Sequence, residues 1–452
     1  MQYKTNLLGP VVPIYLTLTI SAFIGIVDVC LAGRIGENVQ AGVGLADQFL
    51  FFAALLGMGL SSGVASCVAR AIGARQYDLA RQYIKEGILL SAFLGMLSAL
   101  IATTVAPLIL PLFSSSAISL PASHYLLLCA PGNLPYSIVI CQTAALRAIG
   151  SARLGVFQWL IITATSTLPP LIAGHFFPDT KACTLEIIAV SWDVGAFVGA
   201  AAGAYFLKAG LSSFEADFGP SDLLFTNARR RMRELVMIGL PVAATEACWI
   251  LSNFLIYGLL GSMDSAANAQ AAWTIRLKVD EIACTTPLLA LSLTAQTICG
   301  HKIGAKDLDG ARKATQSIVL CSLLLMTVVA SAIALLADPI ARSLSTSTTT
   351  ITLTKPLLYA SLSILPMMSV YMTIFGALEG AGYTRMPMLA IIGGLFGIRF
   401  PLAWLLSGTL GQGMTGIITA VCLSHAAVLV AAIALYKQRS WEHWHAEHVP
   451  AS

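Results

Sequence analysis

ARAIGARQYDLAR at residues 69–81 returns, loosely copied, as GHKIGAKDLDGAR at 300–312. At an offset of 231, Ile72-Gly73-Ala74 falls on Ile303-Gly304-Ala305, Asp78 on Asp309, and Ala80-Arg81 on Ala311-Arg312. A second pair follows in the same order: ALRAIGSAR (145–153) matches ALEGAGYTR (377–385) at an offset of 232. A weaker third pair sets Gly9-Pro10 against Leu240-Pro241. One match of three small residues would carry no weight. Three ordered landmarks at nearly one spacing predict two related halves.

The sequence around these landmarks is apolar. Hydrophobic residues make up 57% of the 452-residue chain and charged residues 11%, against about 25% charged in a soluble domain. The apolar runs exceed the roughly 20 residues that cross a bilayer. Twelve are visible, near 7–32, 46–69, 84–112, 122–146, 154–176, 183–210, 235–260, 267–299, 314–340, 356–378, 388–411 and 413–436. A buried soluble core would need far more polar surface. The first run holds Pro10, Pro13 and Asp28 and reads as a span, not a cleavable signal. The fold class expected is an all-α integral membrane protein with twelve transmembrane helices in two six-helix lobes. The domains follow: an N-terminal lobe over 1–211, a cytoplasmic linker over 212–234, a C-terminal lobe over 235–436 and a tail over 437–452.

Basic residues orient the chain. With both termini and the even-numbered connections cytoplasmic, 19 Lys and Arg fall on that side, four on the other, and Arg276, Lys278 and Arg399 inside spans. Six spans per half make the repeat parallel, about an axis along the membrane normal. The NARRRMR stretch (227–233) reads as a positive-inside anchor, with lipid recognition as the other possibility. The ten cysteines are scattered without ligand spacing, so neither a disulfide framework nor a metal site is expected. The terminal WEHWHAEHV is placed at the interface. No phosphate-binding loop is present, and no catalytic residue, enzyme activity, cofactor or nucleic-acid partner is expected. Membrane lipids are the standing partner, and the chain is expected to act as a monomer.

Charge inside a span costs several kcal/mol unless it faces protein or water, so each such residue is a functional candidate. Asp28, in FIGIVDVCLAG, leads as the cation-coupling residue. It could exchange a proton, hold a sodium ion, or pair structurally with Arg34. Glu246 and Asp193 are candidate cavity acids, and Glu186 lies nearer the outer end. WTIRLKVDEIA brings together Arg276, Lys278, Asp280 and Glu281. Their i,i+4 and i,i+3 spacings fit either an ion-pair network or a charged cavity wall. Asp47 reads as interfacial, at the outer start of the second span. Trp249 and Trp273, like Trp159, Trp192 and Tyr257, either pack or could hold a lipophilic cation. Arg147 and Glu379 occupy equivalent positions of the repeat with opposite charge and are candidate gate residues. Glycine runs GMGLSSGVAS (57–66) and VGAFVGAAAGAY (194–205) read first as close helix packing. Prolines in the spans suit kinked helices around a wet cavity.

The ordered pieces GPVVPIYLTLTISAFIGIVDVCLAGRIG (9–36), GLSSGVASCVARAIGARQYDLAR (59–81), ALRAIGSARLG (145–155), PVAATE (241–246), LSLTAQTICGHKIGAKDLDGAR (291–312) and GALEGAGYTRMP (376–387) resemble the multidrug and toxic compound extrusion family. The resemblance spans nearly the whole chain. It implies two six-helix lobes in a V around a central cavity. It also implies antiport, with a proton or sodium ion entering as an organic cation leaves. Asp28 falls where the family has its first-helix carboxylate, which is nearest to the DNA-damage-inducible F-like branch. That branch's helix-five Asn and Asp are absent from IITATSTLPPLIAG (161–174). The helix-seven Glu of the other pattern is Trp249 here, with Glu246 a turn earlier, and its helix-ten Asp falls near Met368. Helix ten's usual Leu-Arg-Gly is Leu-Glu-Gly at 378–380. The sparse oxygen set favours a proton. The expected function is therefore export of cationic organic compounds in exchange for protons or sodium, across the inner membrane of a bacterium. A flippase for a lipid-linked anionic precursor, for which Arg276, Lys278 and Arg399 would be needed, and an exporter of one metabolite are the alternatives.

Overall fold

A computed structural model of the chain describes residues 8–113, 115–176, 185–212, 227–263, 265–345 and 347–441. No strand occurs among them. Twelve stretches are long and apolar enough to cross a membrane, the number that the hydropathy pattern predicts. The histidine-rich tail beyond Trp441 and most of the linker expected at 212–234 lie outside the described residues.

The chain divides into two compact units, Met1–Ala243 and Ala244–Ser452. The first comprises α1 (Leu8–Ile35), α2 (Glu37–Gly73), α3 (Tyr77–Thr104), the short α4 (Ala106–Phe113), α5 (Ser116–Ala148), α6 (Ala152–Phe176), α7 (Leu185–Ser212) and the first half of α8 (Ala228–Gly261). The second holds the rest of α8, α9 (Ala266–Asp280), α10 (Thr286–Gly304), α11 (Leu308–Leu335), the short α12 (Ala337–Leu344), α13 (Thr348–Gly380), α14 (Arg385–Ile392), α15 (Phe400–Trp404) and α16 (Gly413–Gln438). The division falls inside α8, later than the linker read from span counting.

The repeated sequence stretches are helix ends with one geometry. At the end of α2, Arg75 takes φ 60°, and at the end of α10, Lys306 takes φ 60°. Arg75 N–H donates to the Ile72 carbonyl at 3.0 Å and Gln76 N–H to Ala71 at 2.9 Å. Lys306 donates to Ile303 and Asp307 to Lys302, both at 2.9 Å. The second landmark repeats the device: Gly150 (φ 85°) closes α5 and Gly382 (φ 86°) closes α13. These are Schellman turns, in which a left-handed residue lets two amides satisfy the helix's last carbonyls. Glycine carries that conformation without a Cβ penalty, whereas Arg75 and Lys306 carry it at some cost.

Close packing accounts for the glycine runs. A Cβ on Gly59 would stand 2.5 Å from the Gly239 carbonyl oxygen, and one on Gly63 2.5 Å from that of Leu235, so α2 and the first half of α8 meet backbone to backbone. On α7, a Cβ at Gly195 would lie 3.1 Å from the Ile162 carbonyl, and one at Gly203 would collide with the amide heads of Gln142 and Gln158. Those amides bind each other at 2.9 Å and bind the carbonyls of Gly199 and Ala200 at 3.1 and 3.0 Å. Thr143 donates to Gln158 and receives Trp159 Nε1, both at 3.1 Å, so the polar seam joining α5, α6 and α7 is satisfied.

Buried ion pairs fix α8 within the first unit. Arg70 of α2 reaches Glu234 at 3.1 Å, and Tyr83 of α3 donates to the same carboxylate at 2.5 Å. Arg231 binds Glu86 of α3 in a fork, with Nε at 2.9 and 3.1 Å from the two oxygens and Nη2 at 2.5 Å. Arg231 of the NARRRMR stretch thus has an intramolecular partner.

Three features depart from the sequence reading. Short helices α4 and α12 follow α3 and α11 at equivalent places, where the apolar runs had been read through or broken off. Asp47 is part-buried inside α2, which begins at Glu37 and not near residue 46. The eighth and eleventh spans are not plain α-helices. A π-helical turn, Glu281–Thr285, joins α9 to α10, and two more, Gly393–Arg399 and Leu405–Thr409, flank α15. Pro287 and Pro401 follow the first two. A proline four residues after a carbonyl leaves it without its α-helical donor, and the ladder widens locally.

Candidate functional site

In the first unit the acids gather around α1, α2, α5 and α7. Asp28 is buried, 4% exposed. Its sequence neighbours Val27 and Val29 pack against an apolar cluster that includes Leu31, Val43, Ala46, Leu126 and Ile188. Among the described residues it makes no ion pair or hydrogen bond; the side chain of Arg34, its alternative partner, is outside them. Asp47 stands close enough to act electrostatically on Asp28. Both act on the buried phenol of Tyr125, and that phenol hydrogen-bonds Cys129. Asp47 lies on α2 ahead of the apolar stretch Ala54–Gly73 that is long enough to cross a membrane.

Asp193 is buried on α7 but not free. Its Oδ1 accepts the Gly132 amide at 3.0 Å. Pro131 and Pro135 lie beside Gly132 in α5. Asp193 also acts electrostatically on Cys129, which places it at the edge of the Asp28 group. Glu186 is half exposed beside His124, at 3.8 Å.

In the second unit the predicted pairs of α9 form. Arg276 meets Asp280 at 3.1 Å, largely buried, and Lys278 meets Glu281 at 2.7 Å, largely exposed. Trp273 is buried with the Arg276 guanidinium 4.8 Å from its ring centroid. Trp249 is part-buried on α8, and Glu246, a turn earlier, is part-buried too. Trp249 lies against a group that sequence reading did not assemble. The Arg399 guanidinium is 5.0 Å from its ring centroid, and the His425 ring is 5.8 Å away. Arg399 Nη2 meets His425 Nε2 at 2.9 Å, Arg399 Nε donates to Ser424 Oγ at 3.0 Å, and Tyr371 Oη meets His425 Nδ1 at 3.1 Å. No signal in one sequence ties residues 249, 371, 399 and 425. Arg147 and Glu379 sit in matching Schellman turns, each in its own unit, and Glu379 accepts Gln296 Nε2 at 3.4 Å.

Among the described residues no cluster of three or more His, Cys, Asp or Glu has the arrangement of a metal site. The donors present suit a proton or one small cation near Asp28 and Asp47.

Comparison with known proteins decides the family. The MatE family model matches in two separate stretches, 13–169 and 241–405, one in each half of the repeat. The chain belongs to the MatE family. It is 27% identical over 422 residues to the probable multidrug resistance protein NorM of Rhodopseudomonas palustris, covering 89% of this chain and 85% of that one. It is 28% identical over 440 residues to the multidrug resistance protein NorM of Burkholderia vietnamiensis, covering 90% and 87%. Its fold is that of the Vibrio cholerae MATE transporter VcmN in the bent form, with a TM-score of 0.86 at 18% identity over 98% of this chain and 97% of that one. The eukaryotic MATE transporter AtDTX14 gives a TM-score of 0.84 at 14% identity, over 98% and 97%. This chain is thus a multi-pass membrane protein of the MatE fold.

Proposed function

We propose that the protein is a multidrug exporter that exchanges organic cations for protons, with Asp28 as the coupling residue. The observation that carries this reading is a buried carboxylate in α1 with no protein counter-charge among the described residues. A carboxylate so placed attracts a cation, and it releases that cation when a proton neutralises it. Occupancy by one excludes the other, so each ligand biases the same two-state equilibrium and exchange is coupled. Asp47 adds a second negative field at the same place. Sodium usually takes more oxygen ligands than these two side chains offer, which favours the proton. The NorM names of the relatives support drugs as the cargo. The distribution of Lys and Arg supports cytoplasmic termini, and the bacterial relatives support the inner membrane. Arg147 and Glu379 are proposed to act in switching from equivalent turns of the two halves.

The test is efflux of a fluorescent organic cation from proteoliposomes under an imposed pH gradient, then a sodium gradient. Transport driven by the pH gradient and abolished by Asp28→Asn is the expected result. Transport driven by sodium alone would overturn proton coupling. Exchange of the charges, Arg147→Glu with Glu379→Arg, should stay active if the two residues work together. An inactive exchange beside two active single variants would remove them from the reading.

A further inference from the structure

Arg276 and Arg399 are both buried in the second unit, but only Arg276 has a carboxylate partner among the described residues. Arg399 is 3% exposed and ends the π-turn Gly393–Arg399. Among the described residues no carboxylate lies within ion-pairing distance of it. Its partners are the Ser424 hydroxyl, the His425 imidazole and the Trp249 ring. A guanidinium can only donate, so His425 Nε2 accepts, and the imidazole is neutral with its proton on Nδ1, toward Tyr371. Arg276 is paired with Asp280 at 3.1 Å. A buried charge without a partner costs several kcal/mol, and such a residue within a span marks a ligand's place.

Among the described residues the buried atoms of the second unit without a hydrogen-bond partner are Arg276 Nε, Trp273 Nε1, Asp280 Oδ1 and the hydroxyls of Ser252, Ser361 and Thr373. Trp249 and Tyr371 bring aromatic rings to Arg399 and His425, and Trp249 is the part-buried one of the two. π-turns recur at functional sites, because the extra residue re-aims the side chains after it. Here Arg399 ends one such turn.

We propose that the second unit holds a binding site for an organic anion, a carboxylate on an aromatic frame, with Arg399 as its counter-ion and the Trp249 ring as its wall. Arg is suited to the role because its planar fork matches a carboxylate and its face stacks on aromatic rings. The site stands beside the Asp28 reading and does not depend on it. The two would let one transporter accept compounds of either charge.

The test is calorimetric titration of 2-naphthoate into the purified full chain in phosphatidylcholine nanodiscs, which carry no net-anionic lipid. The parent should bind, and Arg399→Gln should weaken binding on the order of tenfold or more. Arg399→Lys should fall between, and 2-naphthylmethylamine should not compete. No binding to the parent at millimolar naphthoate, or equal binding to Arg399→Gln, would overturn the proposal. If Arg399→Gln does not fold, Trp249→Leu decides: weakened naphthoate binding supports the site and unchanged binding overturns it. Asp28→Asn should leave naphthoate binding intact while removing cation efflux. Loss of both would place the anion elsewhere and overturn the assignment to Arg399.

Discussion

Asp28 and Asp47 show how far a residue can be read without its neighbours. Asp28 was legible because apolar residues flank it on both sides. For Asp47 the sequence did not show that the helix begins early, at Glu37, and carries the residue within it. Asp47→Asn should slow pH-driven efflux without abolishing it, since it removes only the supporting field; an unchanged rate in the same proteoliposomes would exclude Asp47 from the site. A second residue-scale contrast comes from the repeat. Asp307 and Gln76 have the same backbone, φ −91° and −93°, at the starts of α11 and α3. Asp307 caps its helix by accepting Gly310 N–H at 2.9 Å, while Gln76 makes no side-chain cap. Gln76→Asp should therefore stabilise α3 by about 1 kcal/mol, read as a raised thermal midpoint in detergent. The Lys302 ammonium and then the Gly310 amide hold the Asp307 carboxyl below its usual range. A depressed folded value means stability that is present above the ordinary carboxylate range and lost as pH falls through the folded value. Asp307→Asn should narrow the stability difference between neutral and acid pH; an unaltered acid profile would show that Asp307 contributes none of it.

At the scale of elements, α8 is held to α2 and α3 by glycine contacts and by two buried ion pairs. Glu86→Ala leaves Arg231 buried without its carboxylate, and about 3–5 kcal/mol of destabilisation is expected. Glu86→Leu with Arg231→Met should cost clearly less, because no charge is stranded. Denaturation of the three proteins in one detergent checks the order, and an equal loss in both variants would contradict it. The glycine runs were legible as packing because small residues at helical spacing leave room for a backbone. Which backbone they meet was not, because partner choice is made between helices far apart in the chain. The π-turns left a local trace: Pro287 and Pro401 each deprive an upstream carbonyl of its donor. Their consequence, the aim of Arg399, needed coordinates. So did the group of Trp249, Tyr371, Arg399 and His425, which comes from four separate helical segments.

For the whole molecule, twelve spans and two related halves were readable from apolar run length and from two repeated helix ends. Composition cannot reveal where contacts divide the chain, and the division inside α8 became visible only in the packing. Orientation is tested directly. In a cysteine-free background that still transports, single cysteines at residues 75, 150, 306 and 382 should all react with an impermeant thiol reagent from the cytoplasmic side only. Labelling of any one from the outside would break the parallel arrangement.

The paired Schellman turns also bear on ancestry. Arg75 matches Lys306, and Gly150 matches Gly382, in backbone angle as well as in sequence. Such agreement at nearly one offset is the trace of a gene copied end to end. Each copy contributes an even number of crossings, so the second enters the membrane the same way up as the first. No redistribution of positive charge was needed at the moment of duplication, and the ancestral half could already have worked as a pair of identical chains. Divergence then had two equivalent places to change independently, and Asp28 in the first half and Arg399 in the second are differences of that kind.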